Sequence, residues 1–531
     1  MMQMPLTLAP LLERAGRMFG NTEIVSRLPD RTLHRYRYAD FQHRAQALAG
    51  ALQALGLRPG DRVASLMWNH YAHLEAYFAV PCAGGVLHTL NPRLHPDDIA
   101  YIATHAGGRF LIVDEALWPL YEKIGAHTPF ESVIVCSRSG ASRGTALDYE
   151  ALIARKARFE PPALGENDAA GLCYTSGTTG KPKGVAYSHR SIVLHSLAIA
   201  TADYLGVGRG EVICPVVPMF HVNAWGVPHA AVMMGAKLVF PGAHLDAESL
   251  LELYESERVT LTAGVPTLWL NVLQSLERSP QRWRLVRGMR MVVGGAAVSE
   301  ALIRAYDRFG LRVIHGWGMT ETSPVGTVNA AAPEPGAGAG DEQYARRARQ
   351  GYPPPLFEVR ATGPEGEVPW DGNTMGELEV RGPWVAARYY GLDAGQWTAD
   401  GWFRTGDIAT IDPSGCVRIT DRIKDLIKSG GEWISSIDLE NALASHPTVA
   451  EAAVIAAPHP KWGERPLAII VGKAGATPSA EALRAHLAPR FPAYWLPDGF
   501  VFVDEMPRTS TGKVLKAALR ERYRDGPGAT K

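Results

Sequence analysis

The chain has 531 residues, with 54 lysines and arginines set against 54 aspartates and glutamates. Zero formal net charge leaves no electrostatic reason to expect nucleic acid or an anionic membrane surface, and the length predicts two or more packed units. Five scattered cysteines (Cys82, Cys136, Cys173, Cys214 and Cys416) form no C-x-x-C pair, which argues against a disulfide framework or zinc site and for a reducing compartment.

In chain order, Leu8, Leu11, Leu12, Ala15 and Met18 recur at helical spacing with Glu13, Arg14 and Arg17 between them. That pattern predicts an amphipathic first helix rather than the apolar core of a targeting signal. The longest apolar stretch, 76–87, is interrupted by Pro81, Gly84 and Gly85 and is too short to span a bilayer. With no address or lipidation motif at the C-terminus, the expectation is a soluble, cytoplasmic protein.

Short β-rich runs then alternate with helical patterns over most of the first four hundred residues, which predicts parallel α/β layers. The loop T-S-G-T-T-G-K-P-K-G at 175–184 follows a strand pattern at 171–174 and precedes another strand and a helix starting near Ser188. Its glycines allow close backbone approach to an anion. The hydroxyls of Thr175, Ser176, Thr178 and Thr179 can donate hydrogen bonds, and Lys181 and Lys183 add positive charge. Phosphate binding is the natural use. Pro182 follows Lys181 where a Walker A loop needs Ser or Thr to hold magnesium, so an ordinary P-loop kinase or ATPase is disfavoured.

Further on, 291–293 reads as a buried strand ending in Gly294 and Gly295. Ser299 and Glu300 open a helix with an apolar face of Leu302, Ile303, Tyr306 and Phe309, stopped by Gly310. A strand at 312–314 ends in the turn His315-Gly316-Trp317-Gly318. A strand–helix–strand crossover here would put both turns at one carboxyl edge, where open α/β sheets bind ligands. The Ala/Pro/Gly-rich segment 330–341 reads as a surface loop. Strand-like runs over 376–419 predict a small β unit, and a separate α/β pattern follows the charged stretch 421–425. The predicted organisation is a large N-terminal unit (1–421) and a small C-terminal α/β unit (427–531), with the boundary at 422–426.

Four further segments complete a set: G-W-G-M-T-E-T-S at 316–323, R-T-G-D at 404–407, D-R-I-K-D at 421–425 and T-S-T-G-K at 509–513. Together with the loop at 175–184, and in this order, they resemble the acyl-adenylate-forming superfamily of acyl-CoA synthetases, luciferases and nonribosomal adenylation domains. The runs P-M-F-H-V-N-A-W (218–225), A-G-V-P-T (263–267) and K-S-G-G-E-W-I-S-S (428–436) are most similar to bacterial medium- and long-chain fatty acid–CoA ligases.

The resemblance implies ATP, Mg2+ and coenzyme A as the small molecules that meet the acid. It implies that Thr175, Ser176, Gly177, Thr178, Thr179, Gly180, Lys181 and Lys183 clamp the triphosphate, with Thr175 also near the metal and the chemistry. Gly295, Ala296, His315, Gly316, Gly318 and Met319 would border the nucleotide. Trp317 would stack on adenine where the family more usually has Tyr, and Thr320 would meet the AMP phosphate. Glu321 would hold magnesium, Asp407 would accept both ribose hydroxyls, and Arg422 would make a further ribose or phosphate contact. Lys513 is the implied catalytic residue of adenylation, because a cation bridging the attacking carboxylate and the α-phosphate helps most as charge develops.

His221 is a second implied catalytic residue. Amino-acid-activating relatives commonly place an aspartate after the equivalent Phe, so His221 after Phe220 disfavours an α-amino acid. Trp225 would gate an acyl tunnel walled by Gly294 and Val222. The resemblance also implies that the boundary 422–426 is a hinge at Lys424 and the small unit mobile, and Gly430, Gly431, Glu432 and Trp433 would border the pantetheine channel after that unit turns.

The implied function is an AMP-forming fatty acid–CoA ligase, with a short-chain or methylthio-propionate CoA ligase as the alternative, and aryl acids open. Acyl transfer to a carrier protein and luciferase-like oxygenation have less support in the sequence. An inactive nucleotide-binding sensor is the non-enzymatic reading, disfavoured because Lys513, Glu321 and the 175–184 loop are all present. A homodimer is suggested by the resemblance only.

Overall fold

A computed structural model describes residues 1–128, 130–137, 143–175, 181–330, 340–392, 395–430, 432–509 and 513–524. The first helix, Ala9–Met18, buries Leu12 and Ala15 as its spacing predicts. The apolar run 76–87 is no span. It divides between the buried helix Tyr71–Cys82 and the strand Val86–Thr89, and among the described residues no helix is long and apolar enough to cross a membrane.

Two mainly parallel sheets and a smaller antiparallel one build the large unit. A seven-stranded sheet is parallel apart from its last pair, where Ala169–Tyr174 meets Gly184–Ser188 antiparallel and holds the phosphate-type loop as a hairpin connection. Ser188 then caps the helix His189–Ala200 by accepting the Ser191 N–H. The eight-stranded sheet has a parallel interior and antiparallel pairs at both edges. Within it Arg290–Val293 and Arg312–Gly318 are parallel neighbours, Val293 opposite His315, and the Ser299-capped helix Glu300–Asp307 crosses between them. Both glycine-bearing ends therefore lie at one edge, as the crossover pattern requires.

One detail differs from the expected turn. The second strand does not stop at Ile314 but runs through Gly318, because Val325–Asn329 folds back to pair with it, Trp317 opposite Thr327. Gly318 and Gly326 permit this. A Cβ at Gly318 would lie 2.0 Å from the Pro324 carbonyl oxygen, and one at Gly326 would lie 2.6 Å from the Trp317 ring.

The small β unit also begins earlier than 376. It is a five-stranded antiparallel sheet that takes in Glu358–Gly363 and Gly366–Glu367 before reaching Val417–Arg422. After a tight turn, in which the Asp425 and Leu426 amides both bond the Arg422 carbonyl, Ile427–Ser429 opens a separate sheet with its own apolar core.

Candidate active site

Thr175 closes the neck of the phosphate-type loop. Its amide donates to the Lys183 carbonyl (2.9 Å) and its hydroxyl oxygen accepts the Lys183 amide (3.1 Å). Ser176, Gly177, Thr178, Thr179 and Gly180 lie outside the described residues. Of the two lysines, Lys181 sits 4.9 Å over the Tyr101 ring and Lys183 4.7 Å over the Tyr389 ring, so aromatic faces orient both cations. Beneath the loop, the Tyr174 hydroxyl meets His105 Nδ1 at 2.7 Å. A cavity of about 20 Å³, lined by residues that include Thr89, Tyr174, Thr175, Phe220 and His221, has room for little more than one water.

The motif at 316–323 forms the facing wall. Thr320 and Glu321 are buried in a single 3-10 turn. The Thr320 carbonyl accepts the Tyr187 hydroxyl (2.7 Å), and the Glu321 backbone carbonyl accepts the Ala386 amide (2.7 Å). One Glu321 carboxylate oxygen accepts the Tyr389 hydroxyl at 2.6 Å. Burial pushes the Glu321 carboxyl above the usual carboxylate range, while Tyr389, Arg422 and Lys183 pull it back. A buried carboxylate beside a lysine-bearing loop suits a hard cation shared with substrate phosphates. Among the described residues no group of three or more metal-ligating side chains occurs, and magnesium held mainly by phosphates and water needs none.

Asp407 is buried in the strand Phe403–Ile411 with both oxygens engaged. Trp317 Nε1 donates to one at 2.8 Å and Arg422 Nε to the other at 3.0 Å. Trp317 is thus more than a flat face: its indole N–H, which tyrosine lacks, ties it to the carboxylate expected to meet the ribose. The His315 side chain turns away to the Ala348 carbonyl (2.8 Å), and burial lowers its pKa to about 4, so its backbone is the part left at the edge. Gly316 pairs with Val328, and the Met319 amide bonds the Pro324 carbonyl, which fixes the turn before Thr320. Gly295 and Ala296 are exposed at the neighbouring strand end.

Lys513 reaches this edge from the small unit. A Cβ placed on Gly295, whose φ is +83°, would lie 3.3 Å from Lys513 Cε and 3.8 Å from Nζ. Desolvation pushes the amine down to about 8, helped by Arg422 and Lys424 and opposed by Asp407. Among the described residues Lys513 forms no ion pair. Lys516, three residues on, is instead half-buried against Glu440 at 2.6 Å and Ser436 at 2.7 Å. Of the two lysines, then, Lys516 is paired within the small unit and Lys513 is not, among the described residues.

His221 stands nearby as a neutral imidazole, pushed down to about 3 by burial, with Lys513 and Arg93 adding to the effect. After it, Val222, Asn223, Ala224 and Trp225 all have φ between 47° and 57°, followed by Gly226 at 71°. Non-glycine residues pay about 1–2 kcal/mol each for this left-handed conformation. The turn swings the Trp225 ring onto Gly294, where a Cβ would lie 3.1 Å from it. Val222 is buried at the start of the same turn.

The remaining predicted residues lie elsewhere. Gly430, with φ +59°, donates its amide to the Trp462 carbonyl (2.9 Å), and a Cβ there would lie 2.9 Å from the Trp462 ring. Glu432 and Trp433 pair with Ser429 and Lys428 in the same small sheet, Lys424 is exposed beside the inter-unit turn, and Gly431 lies outside the described residues. Sequence reasoning missed Tyr389, Tyr101, His105 and Trp462, which sit in no recognised motif. The only signal was chemical, namely tyrosines placed where lysines and a carboxylate would need partners.

Comparison with known proteins identifies the family. The AMP-binding enzyme model matches residues 12–390, and the model of the AMP-binding enzyme C-terminal domain matches 438–513. A long-chain-fatty-acid–CoA ligase of Thermus thermophilus is 50% identical over 99% of this chain and 97% of its own length. A 3-methylmercaptopropionyl-CoA ligase of Ruegeria pomeroyi is 44% identical over 99% and 98%. The crystal structure of the anthranilate CoA ligase AuaEII with anthranoyl-AMP superposes with a TM-score of 0.87 at 26% identity, covering 98% of both chains. The chain therefore belongs to the AMP-binding enzyme family and carries that family's C-terminal domain as well.

Proposed function

We propose that the protein is an AMP-forming carboxylic acid–CoA ligase acting on medium- or long-chain fatty acids. One observation carries the reading. The ammonium of Lys513, which forms no ion pair among the described residues, crosses Gly295 beside the strand whose Trp317 holds Asp407. This is the arrangement adenylation needs.

In the first half-reaction a carboxylate oxygen attacks the α-phosphorus of ATP, the bond to the β-phosphate bridging oxygen breaks, and pyrophosphate leaves. Lys513 lies between the two anions and gains strength as charge gathers in the transition state. Neutral His221 lines the approach without adding charge. Asp407, braced by Trp317 and Arg422, receives the ribose, and Trp317 offers a ring for adenine. Glu321 and Thr175 would hold Mg2+, which supplies charge neutralisation on the phosphates. In the second half-reaction the CoA sulfur attacks the acyl carbonyl and AMP leaves with both electrons of the acyl–phosphate bond. That step is assigned to Gly430, Gly431, Glu432 and Trp433 after a turn about Lys424, with 1–421 and 427–531 moving as units about 422–426. No protein nucleophile is needed, and the five cysteines are free thiols, in keeping with a cytoplasmic setting.

The fatty acid assignment draws on the Thermus relative and on Trp225 lying against Gly294; methylmercaptopropionate, the substrate named for the Ruegeria relative, is the second reading. Acid-dependent exchange of pyrophosphate into ATP, then AMP release on adding CoA, tests the reaction across acids from propionate to palmitate. ADP formation without AMP would overturn it. If Trp225 gates a tunnel, Trp225→Ala changes the chain-length profile; an unchanged profile makes Trp225 a packing residue.

A further inference from the structure

Tyr389 joins two groups that the sequence places about 140 residues apart. Its hydroxyl donates to the Glu321 carboxylate at 2.6 Å, and its ring lies under the Lys183 ammonium at 4.7 Å. The side chain is 3% exposed, so neither contact is an accident of a mobile surface tyrosine. Its backbone surroundings are tied at both ends. The Ala386 amide bonds the Glu321 carbonyl (2.7 Å), the Tyr390 amide bonds the Gly184 carbonyl (2.8 Å), and the Ser323 hydroxyl bonds the Trp384 carbonyl (2.7 Å). Trp397 backs the Tyr389 ring edge-on at 5.3 Å and donates its indole N–H to Ala386. The segment 384–390 is therefore a strap laced between the turn that carries Glu321 and the exit of the phosphate loop.

We propose that Tyr389 is a positioning residue that sets the metal carboxylate Glu321 and the phosphate-loop lysine Lys183 in register, so that metal and phosphate are received together. The inference rests on the reading of Glu321 as the magnesium carboxylate. A carboxylate with one oxygen held by a buried donor has its remaining lone pairs aimed in one direction, and loss of such outer partners typically weakens metal sites about 10–100-fold. The ring acts separately, since a cation over an aromatic face is held without a counter-charge that would compete with phosphate.

The two halves of the side chain can be tested apart by titration calorimetry of ATP into the full chain, once with saturating Mg2+ and once in EDTA. Spin-resonance detection of bound Mn2+·ATP provides a second readout independent of turnover. Tyr389→Phe keeps the ring and removes the hydroxyl. It is expected to weaken ATP binding about tenfold in Mg2+, reduce bound Mn2+·ATP, and leave binding in EDTA within twofold. Tyr389→Leu removes both, and binding in EDTA is then expected to fall severalfold as well. Wild-type affinity of Tyr389→Phe in Mg2+, or equal losses with and without metal, would overturn the proposal. A Leu variant matching the Phe variant in EDTA would overturn its Lys183 half. Glu321→Gln separates this from the underlying reading. If it abolishes the metal dependence while Tyr389→Phe does not alter it, only the role of Tyr389 fails. If Glu321→Gln keeps the full metal dependence, the assignment of Glu321 and the proposal both fail.

Discussion

The small C-terminal unit presents two faces with opposite circumstances. One sends Lys513 across Gly295 into the edge of the large unit; the other packs Gly430 on Trp462 and keeps its hydrogen bonds within its own sheet. The contacts joining the units near the turn are polar: the Ser436 amide to Asp421 (2.5 Å), the Ser435 hydroxyl to the Thr420 carbonyl (2.5 Å), and Arg418 to Asp438 (2.7 Å). Each unit instead keeps its own apolar core. Polar links can be exchanged for water at small net cost, whereas a shared apolar core cannot. The difference is the one that the proposed turn about 422–426 requires, with one face of the small unit engaged at a time.

The sharpest way to break this comparison is Lys513→Ala. It is expected to slow pyrophosphate exchange about a thousandfold, the scale for removing a group aimed at developing charge. Conversion of a supplied acyl-adenylate to thioester should stay within a few-fold. Equal losses in both assays would mean that the two faces are not specialised.

The pH dependence sharpens the same assignment. The amine is lowered to about 8 and is needed protonated. Exchange measured as kcat/KM for ATP should therefore be flat below that value and fall about tenfold per pH unit above it. The thioester step should lack this alkaline limb. A common limb in both steps would place the titration elsewhere.

Gly430→Ala is the converse variant, with a smaller effect. A side chain at φ +59° that also meets Trp462 at 2.9 Å is strained by about 1–2 kcal/mol. A loss of about tenfold confined to the thioester step is expected, with exchange unchanged. A loss confined to exchange would reverse the roles given to the two faces.

The part of the candidate site legible in the sequence is the part whose chemistry is local. A glycine- and hydroxyl-rich loop with two lysines announces itself within a few residues, whereas the segments carrying Thr320, Glu321 and Asp407 speak only in combination, through the family they resemble. The crossover at 291–318 was legible from a strand pattern, a Ser cap and a stopping glycine. The extension of the second strand to Gly318 was not, because it depends on pairing with Val325–Asn329 and on the absence of side chains at Gly318 and Gly326. Tyr389 was invisible for the same reason: no periodicity marks a residue whose value lies in touching Lys183 and Glu321 from elsewhere in the chain.

The sequence by itself determined the α/β class, a loop of anion-binding composition that is not a Walker A loop, and, through five motifs in order, a resemblance to the adenylate-forming family. The first two follow from residue types at short spacing, where local propensity and charge decide; the roles of Glu321, Asp407 and Lys513 are what the resemblance implies. Only the tertiary structure decided that Trp317 braces Asp407 through its indole N–H, that Lys516 is paired with Glu440 while Lys513 has no ion-pair partner among the described residues, and that five consecutive left-handed residues carry Trp225 onto Gly294. Those outcomes turn on which distant groups share a low-dielectric space, and burial with long-range pairing sets that.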